Sequence, residues 1–347
     1  MNECLLLVNS GRVDMWNKVA RLSAIALVIF LGGCVDSRDG QDAAVAAENE
    51  TSSEGFERTN DVIYHKEQGY ALTMDVIKPL NDRNGAAVVI VMSGGWFSNH
   101  EATRPHDLDL LPKTYLAHAA ELLRAGYTLF YVVHGTQPKF TIREIDMQLS
   151  AALTYLHSES LSYGIDKNRI GIMGGSAGGH LSLMRGTKGS QSNNRVAAVV
   201  SYFPPTDFLN YGDDGVFFDG VVREFPPLRG KNPFLQALDY YEFDPVETRL
   251  NRVDDPARLA QHYSDIGPAN HVSEGDAPTL LLHGDSDGLV PLQQSQLIAE
   301  KFSRYGVEHK LFIKEGEGHG WEAPKEEITM IIEWFDKFLV ERPDEDK

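Results

Sequence analysis

The chain has 347 residues, 42% hydrophobic and 24% charged, which is ordinary globular composition and long enough for a large core. Its net charge of −18 excludes nucleic acid as a partner, since phosphates are repelled and no Lys/Arg cluster offsets the field. Polyanionic substrates are disfavoured on the same ground.

In chain order, the first feature is a targeting signal. Lys18 and Arg21 precede an apolar run, Leu22 to Leu31, of about ten residues, too short to span a bilayer as a helix. The run ends in Leu31-Gly32-Gly33-Cys34, which resembles a bacterial lipobox. That resemblance implies cleavage of a signal peptide, residues 1–33, and acylation of Cys34. The protein is then expected outside the cytoplasm, with an N-terminal lipid anchor as its one membrane contact. An ordinary signal peptide or a short uncleaved anchor is the alternative, and Met15 competes with Met1 as the start. Cys4 and Cys34, the two cysteines, both lie upstream of anything that reads as folded, so the folded part is expected to lack thiol chemistry, disulfides and cysteine metal ligands. Residues 34–59 carry almost no large apolar side chains and read as a disordered tether.

From about residue 60 apolar strands begin. Asp61–Tyr64 and Leu72–Ile77, with Gly69 between them, read as a hairpin. Ala86–Met92, Tyr127–Val133, Arg169–Met173, Val196–Phe203, Pro278–Leu282 and His309–Ile313 read as buried strands. Helical patterns alternate with them: Leu116–Arg124, Thr141–Ser158, a helix starting at Ala177–Met184, Pro291–Tyr305 and Lys325–Leu339. In the longest, Ile142, Ile145, Leu149, Leu153 and Leu156 form one stripe. Continuously apolar strands separated by helices imply an α/β class fold, a mostly parallel sheet covered on both faces, here after an antiparallel pair. One domain, 60–342, is expected. Residues 204–268 break the alternation and read as an irregular insertion over the active site, or else as surface decoration. Its Phe208, Tyr211, Phe217 and Phe218, with Tyr202 and Phe203 just before, either stack on a sugar or phenolic ring or form its core.

Gly174-Gly175-Ser176-Ala177-Gly178 fits G-x-S-x-G, follows a strand and opens a helix, which is the context a nucleophilic serine on a strained turn requires. Gly284-Asp285-Ser286-Asp287-Gly288 fits the same pattern literally, but its two carboxylates oppose an alkoxide-like nucleophile and too little chain follows it. That loop instead supplies the carboxylate that orients a histidine, with Asp287 preferred and Asp285 placed to brace the turn. His319, flanked by Gly318 and Gly320 after the last strand, is the base, completing the chain order Ser, Asp, His. One oxyanion donor is expected from the N–H of Ala177. The other is expected from Gly95 or Trp96, in the loop Ser93-Gly94-Gly95-Trp96.

These pieces, spanning about residues 60–342, resemble the α/β-hydrolase superfamily. Within it the chain is similar to carbohydrate esterases and hormone-sensitive-lipase-like enzymes, including bacterial feruloyl and acetylxylan esterases. Those families usually carry His-Gly-Gly-Gly in the oxyanion loop, whereas Ser93 stands here for the histidine and Trp96 for the third glycine. The Gly-Gly-Ser-x-Gly-Gly run also resembles the prolyl oligopeptidase catalytic domain, although there is no room for that family's propeller. The resemblance implies an acyl-enzyme esterase acting on small or carbohydrate-linked esters, without metal or other cofactor. A peptidase, a lactonase or thioesterase, and a non-catalytic binding lipoprotein are the alternatives.

Overall fold

A computed structural model describes residues 49–51, 55–67, 69–100, 118–188, 194–223 and 238–341. The signal run and Cys34 lie outside them. Among the described residues no helix is long and apolar enough to cross a membrane.

The described residues form eleven strands: β1 (Asn49–Thr51), β2 (Phe56–Glu67), β3 (Tyr70–Pro79), β4 (Ala87–Val91), β5 (Thr128–Val132), β6 (Ile170–Gly175), β7 (Ala198–Tyr202), β8 (Tyr241–Asp244), β9 (Arg249–Arg252), β10 (Thr279–Gly284) and β11 (His309–Lys314). Nine of them make one sheet in the order β1-β2-β3-β5-β4-β6-β7-β10-β11. The pairs β1–β2, β2–β3 and β3–β5 are antiparallel, and from β5 to β11 every pair is parallel. The parallel strands β4, β5, β6, β7 and β10 are buried at every residue, which is why they read as continuous apolar runs. Edge strand β11 is half-exposed.

Helices α1 (His118–Arg124), α2 (Ile142–Tyr163), α3 (Ala177–Lys188), α4 (Phe218–Arg223), α5 (Pro256–Ile266), α6 (Gln293–Arg304) and α7 (Lys325–Phe335) complete the fold. Alternation along each strand divides the apolar interior into two cores. Val89 and Val91 pack with Leu149 and Leu153 of α2, Leu181 of α3 and Phe302 of α6. Val88 and Ile90 face the other way, with Leu122 of α1 and Ile331 and Phe335 of α7. Each fully buried side chain of this kind contributes roughly 1.5–3 kcal/mol. The expected stripe of α2 is buried as a unit. A capping box between Thr141 and Glu144 starts that helix, and Gly164, left-handed at φ 69°, stops it.

Two expectations need correction. The sheet starts before residue 60. β1 and the first residues of β2 fall inside the expected tether, Phe56 is buried, and Leu80 donates to Gly55 O at 2.9 Å. The polar β1 joins through its backbone, which composition does not register. The insertion is also less irregular than expected, since it holds α4, the β8–β9 hairpin and α5. Asp255 caps α5 and Pro256 occupies its first turn, a start signal plain in the sequence.

The order β5-β4-β6 places β4 where the strand order reverses direction. The crevice beyond the carboxyl ends of β4 and β6 is where this class of sheet receives ligands.

Candidate active site

Ser176 sits between β6 and α3 with φ 55°, a left-handed conformation that a non-glycine residue adopts at a cost of roughly 1–3 kcal/mol. The turn is held by Ser176 N–H donating to Tyr202 O at 2.9 Å and by His180 N–H donating to Ser176 O at 2.8 Å. Strand and helix meet so closely that glycine is required on both sides. A Cβ on Gly174 would lie 2.6 Å from the backbone of Gly178, and one on Gly178 would lie 2.7 Å from Val91 O. The spacing of the glycines in the motif is thus a steric requirement.

Asp287 and His319 come from the loops after β10 and β11, the neighbouring parallel strands beside β7. Ser176 Oγ lies 2.9 Å from His319 Nε2, and His319 Nδ1 lies 2.8 Å from Asp287 Oδ2. With the hydroxyl donating to Nε2, the ring proton is on Nδ1 and donates to the carboxylate. The other oxygen, Oδ1, accepts from the N–H groups of Leu289 and Val290 at 2.8 and 2.9 Å. The Asp287 side chain is fully buried. Burial alone would raise its carboxyl, but the adjacent His319 and hydrogen bonds from His283 and His319 outweigh it and hold the group below the usual carboxylate range. Phe203, itself at φ 35°, places its ring 4.5 Å from that of His319.

The loop after β4 forms a tight turn. Gly94 N–H donates to Phe97 O and Phe97 N–H to Gly94 O, both at 3.0 Å. The two central residues, Gly95 at φ 56° and Trp96 at φ 61°, are both left-handed, the signature of a type I′ turn. Their carbonyls are occupied from behind, by Gln137 Nε2–H on Gly95 O at 2.9 Å and Gln137 N–H on Trp96 O at 3.2 Å. A pocket above Ser176 is lined by Gly95, Trp96, Ala177, Tyr211, Phe218 and Leu289, among others, and contains about 320 Å³ of free space, open solvent at its mouth included. The turn and the first N–H of α3 therefore flank the serine, where an oxyanion would form. Of the insertion, Tyr211 and Phe218 line this pocket. Phe208 is buried beneath it, whereas Phe217 is exposed.

Three histidines acquire partners that their positions in the sequence did not suggest. His283 donates through Nε2 to Val290 O at 2.9 Å, with Asp287 Oδ2 at 3.4 Å, and accepts at Nδ1 from Ser295 Oγ at 2.7 Å. His180, 0% exposed, accepts at Nδ1 from the Trp96 indole and donates through Nε2 to Ile266 O. His100 lies with Asp61 and Asp75 at the opening hairpin. Arg58 offsets one of the two carboxylates, since its Nη2 donates to Asp75 Oδ2 at 2.8 Å. Ser286 Oγ donates to the neighbouring Asp285, whose Oδ1 also accepts Gly316 N–H at 2.8 Å and so ties the β10 loop to the loop that carries His319.

A probable carboxylic ester hydrolase, LipM, of Mycobacterium tuberculosis is 26% identical over 67% of this chain and 49% of its own length. Esterase LipC of the same organism is 21% identical over 75% and 59%. The chain thus spans about half the length of the curated relatives it matches. A truncated carbohydrate esterase from gut microbiota superposes with a TM-score of 0.63 at 21% identity, covering 84% of this chain and 99% of that one, a likeness of fold. Residues 74–302, from β3 through most of α6, match the BD-FAE family, and the chain belongs to that family of α/β-hydrolases.

Proposed function

We propose that this protein is a serine carboxylic ester hydrolase working through an acyl-enzyme. The observation that carries the reading is the continuous Ser176–His319–Asp287 chain of hydrogen bonds, 2.9 and 2.8 Å long, on a strained turn at a helix N-terminus. The names of the relatives, esterases and ester hydrolases, point the same way.

His319 Nε2 takes the Ser176 hydroxyl proton as Oγ attacks the ester carbonyl carbon. Asp287, kept anionic by its surroundings, stabilises the imidazolium and fixes the ring. The N–H groups of Ala177 and of Gly95 or Trp96 hold the oxyanion. As the tetrahedral adduct collapses, His319 returns the proton to the leaving alcohol, and Ser176 remains acylated. Water then loses its proton to His319 as it attacks the acyl carbon, and His319 returns that proton to Ser176 Oγ as the acid is released. The pocket walls, Trp96, Tyr211, Phe218, Leu289 and Val290, are apolar, which suits a small acyl group. The carbohydrate esterase that shares the fold favours an alcohol borne on a sugar.

Hydrolysis of 4-nitrophenyl acetate and longer acyl homologues by the full chain and by Ser176→Ala tests this reading. The variant should lose at least about a thousandfold in kcat, since removing a triad member typically costs that much or more. Equal activity in the two proteins would sink it.

The lipobox resemblance supports a second proposal, that Cys34 is acylated and tethers the enzyme to a membrane outside the cytoplasm. Cys34→Ala should move the protein from the membrane fraction to the soluble one, and an unchanged distribution would overturn the proposal.

A further inference from the structure

A type I′ turn normally takes Gly, Asn or Asp at its central positions, because both require φ > 0. Trp96, at φ 61°, is the wrong residue for that position on backbone grounds alone. Its side chain supplies what the backbone lacks. The indole Nε1–H donates to His180 Nδ1 at 3.2 Å, and the two rings meet edge-on with centroids 5.7 Å apart. Phe208 and Phe218 flank the same indole at 6.1 and 6.3 Å.

His180 is itself pinned. Its Nε2–H donates to Ile266 O at 2.7 Å, which leaves Nδ1 as the acceptor that the indole needs. Burial pushes the imidazole down to about 4, so it stays neutral near pH 7 and keeps that tautomer. Its backbone N–H donates to Ser176 O at 2.8 Å. One residue therefore holds the nucleophile turn through its main chain and the turn after β4 through its ring.

We propose that His180 and the Trp96 indole are positioning residues that fix the distance between the two halves of the oxyanion hole. The Ala177 N–H sits on the Ser176 turn, and the Gly95 and Trp96 N–H groups sit on the other turn. The His180–Trp96 bond is a side-chain link between the two turns, beside the backbone bond from Gly178 N–H to Ser93 O at 3.2 Å. A tryptophan stands in the loop at the place of a glycine because its indole brings a restraint that glycine lacks. The insertion shares in this through Ile266, the last residue of α5, so the oxyanion geometry is tied to the segment that walls the pocket. The inference rests on the esterase reading above.

The test uses the full chain and 4-nitrophenyl acetate. Trp96→Phe keeps an aromatic ring and removes the indole donor. His180→Asn keeps an acceptor near the Nδ1 position, and His180→Leu removes it. Deleting an oxyanion donor outright costs about 10²–10³ in kcat, so misplacing one should cost about 10–100-fold. Trp96→Phe and His180→Leu should each lose that much kcat with KM within about threefold, because the donors act chiefly on the transition state. His180→Asn should recover most of the loss. The double variant Trp96→Phe/His180→Leu should be no slower than its slower parent, since both break one bond. Retention of kcat within twofold in Trp96→Phe overturns the inference, as do multiplicative losses or a fall in Tm with kcat per titrated site unchanged. Should His180→Leu fail to fold, Trp96→Phe and His180→Asn decide the matter. Wild-type protein without Ser176-dependent turnover would remove the esterase reading and this inference together. Ser176-dependent turnover with unaffected variants would remove this inference alone.

Discussion

At the scale of single residues, the site depends on Asp287 presenting two oxygens to two different tasks. Oδ2 receives His319, and Oδ1 anchors its own loop through Leu289 and Val290. Replacing it by asparagine preserves volume but offers an amide N–H₂ or a neutral oxygen where a carboxylate stood. An amide N–H₂ turned towards His319 Nδ1 would shift the ring proton to Nε2, facing Ser176 Oγ, where it blocks base catalysis. Asp287→Asn should therefore lose about 10³–10⁴ in kcat while remaining folded, as expected when a triad histidine is held in the wrong tautomer. Steady-state kinetics beside a circular dichroism melt would check it, and a loss under tenfold would remove Asp287 from its assigned role. The same carboxylate also contributes to stability. Its folded-state pKa is depressed, so the contribution is present above the ordinary carboxylate range and disappears as pH falls through the lower, folded value.

At the scale of elements, the loop that carries His319 is held from below by a buried carboxylate on another element. Glu327, in the first turn of α7 and 2% exposed, accepts the Trp321 indole N–H at 2.9 Å and the Tyr202 hydroxyl at 2.9 Å, with Lys314 Nζ at 3.7 Å. It thus joins α7 to the end of β7 and to a residue two places after His319. Glu327→Leu would remove the acceptor of the part-buried Trp321 indole and one of the two partners of the buried Tyr202 hydroxyl, whose other partner is His118 Nε2, at about 1–3 kcal/mol for each donor left unsatisfied. It should destabilise the fold by roughly 2–4 kcal/mol, read as a lowered midpoint in urea, and Glu327→Gln should cost less because it keeps an acceptor. Equal midpoints for Leu and wild type would mean that water satisfies those donors. Nothing local in the sequence marks Glu327, since one acidic residue in a helical first turn is ordinary. The strands and the grouping of Ser176, Asp287 and His319 were legible because their signals are local: continuous apolar runs for strands buried on both faces, glycines packed around one serine, and the chain order Ser, Asp, His. Partners brought together by the sheet were not legible. His180 meets Trp96 across 84 positions, and Tyr202 meets Glu327 across 125. The β8–β9 hairpin was missed for the opposite reason. It stands apart from the main sheet with Phe243 and Leu250 exposed, so burial does not impose the usual pattern on it.

At the scale of the whole molecule, an acidic chain would be expected to gain stability on mild acidification, as repulsion among its carboxylates falls. The buried histidines oppose this. Burial holds His118 down to about 3 and His134, His180 and His262 down to about 4, against about 6.5 in an unfolded chain. Between about pH 4 and 6.5 the unfolded state therefore binds more protons than the folded one. Unfolding free energy then rises with pH across that window, by up to about 1.4 kcal/mol per pH unit for each histidine. The four groups sit in different elements: His118 opens α1, His134 follows β5, His180 lies in α3 and His262 in α5. No single local rearrangement relieves them all. Salt screens the repulsion among surface charges within about 10 Å, so the four histidines are expected to set the sign of the pH dependence. Urea midpoints measured at pH 7.5, 6.5, 5.5 and 4.5 in constant salt should fall steadily below pH 6.5. Replacing His134 by glutamine should flatten the slope by about one proton, whatever it does to the absolute midpoint. A midpoint that rises on going from pH 6.5 to 5.5 would show that surface repulsion, and not histidine burial, governs the acid limb of this protein.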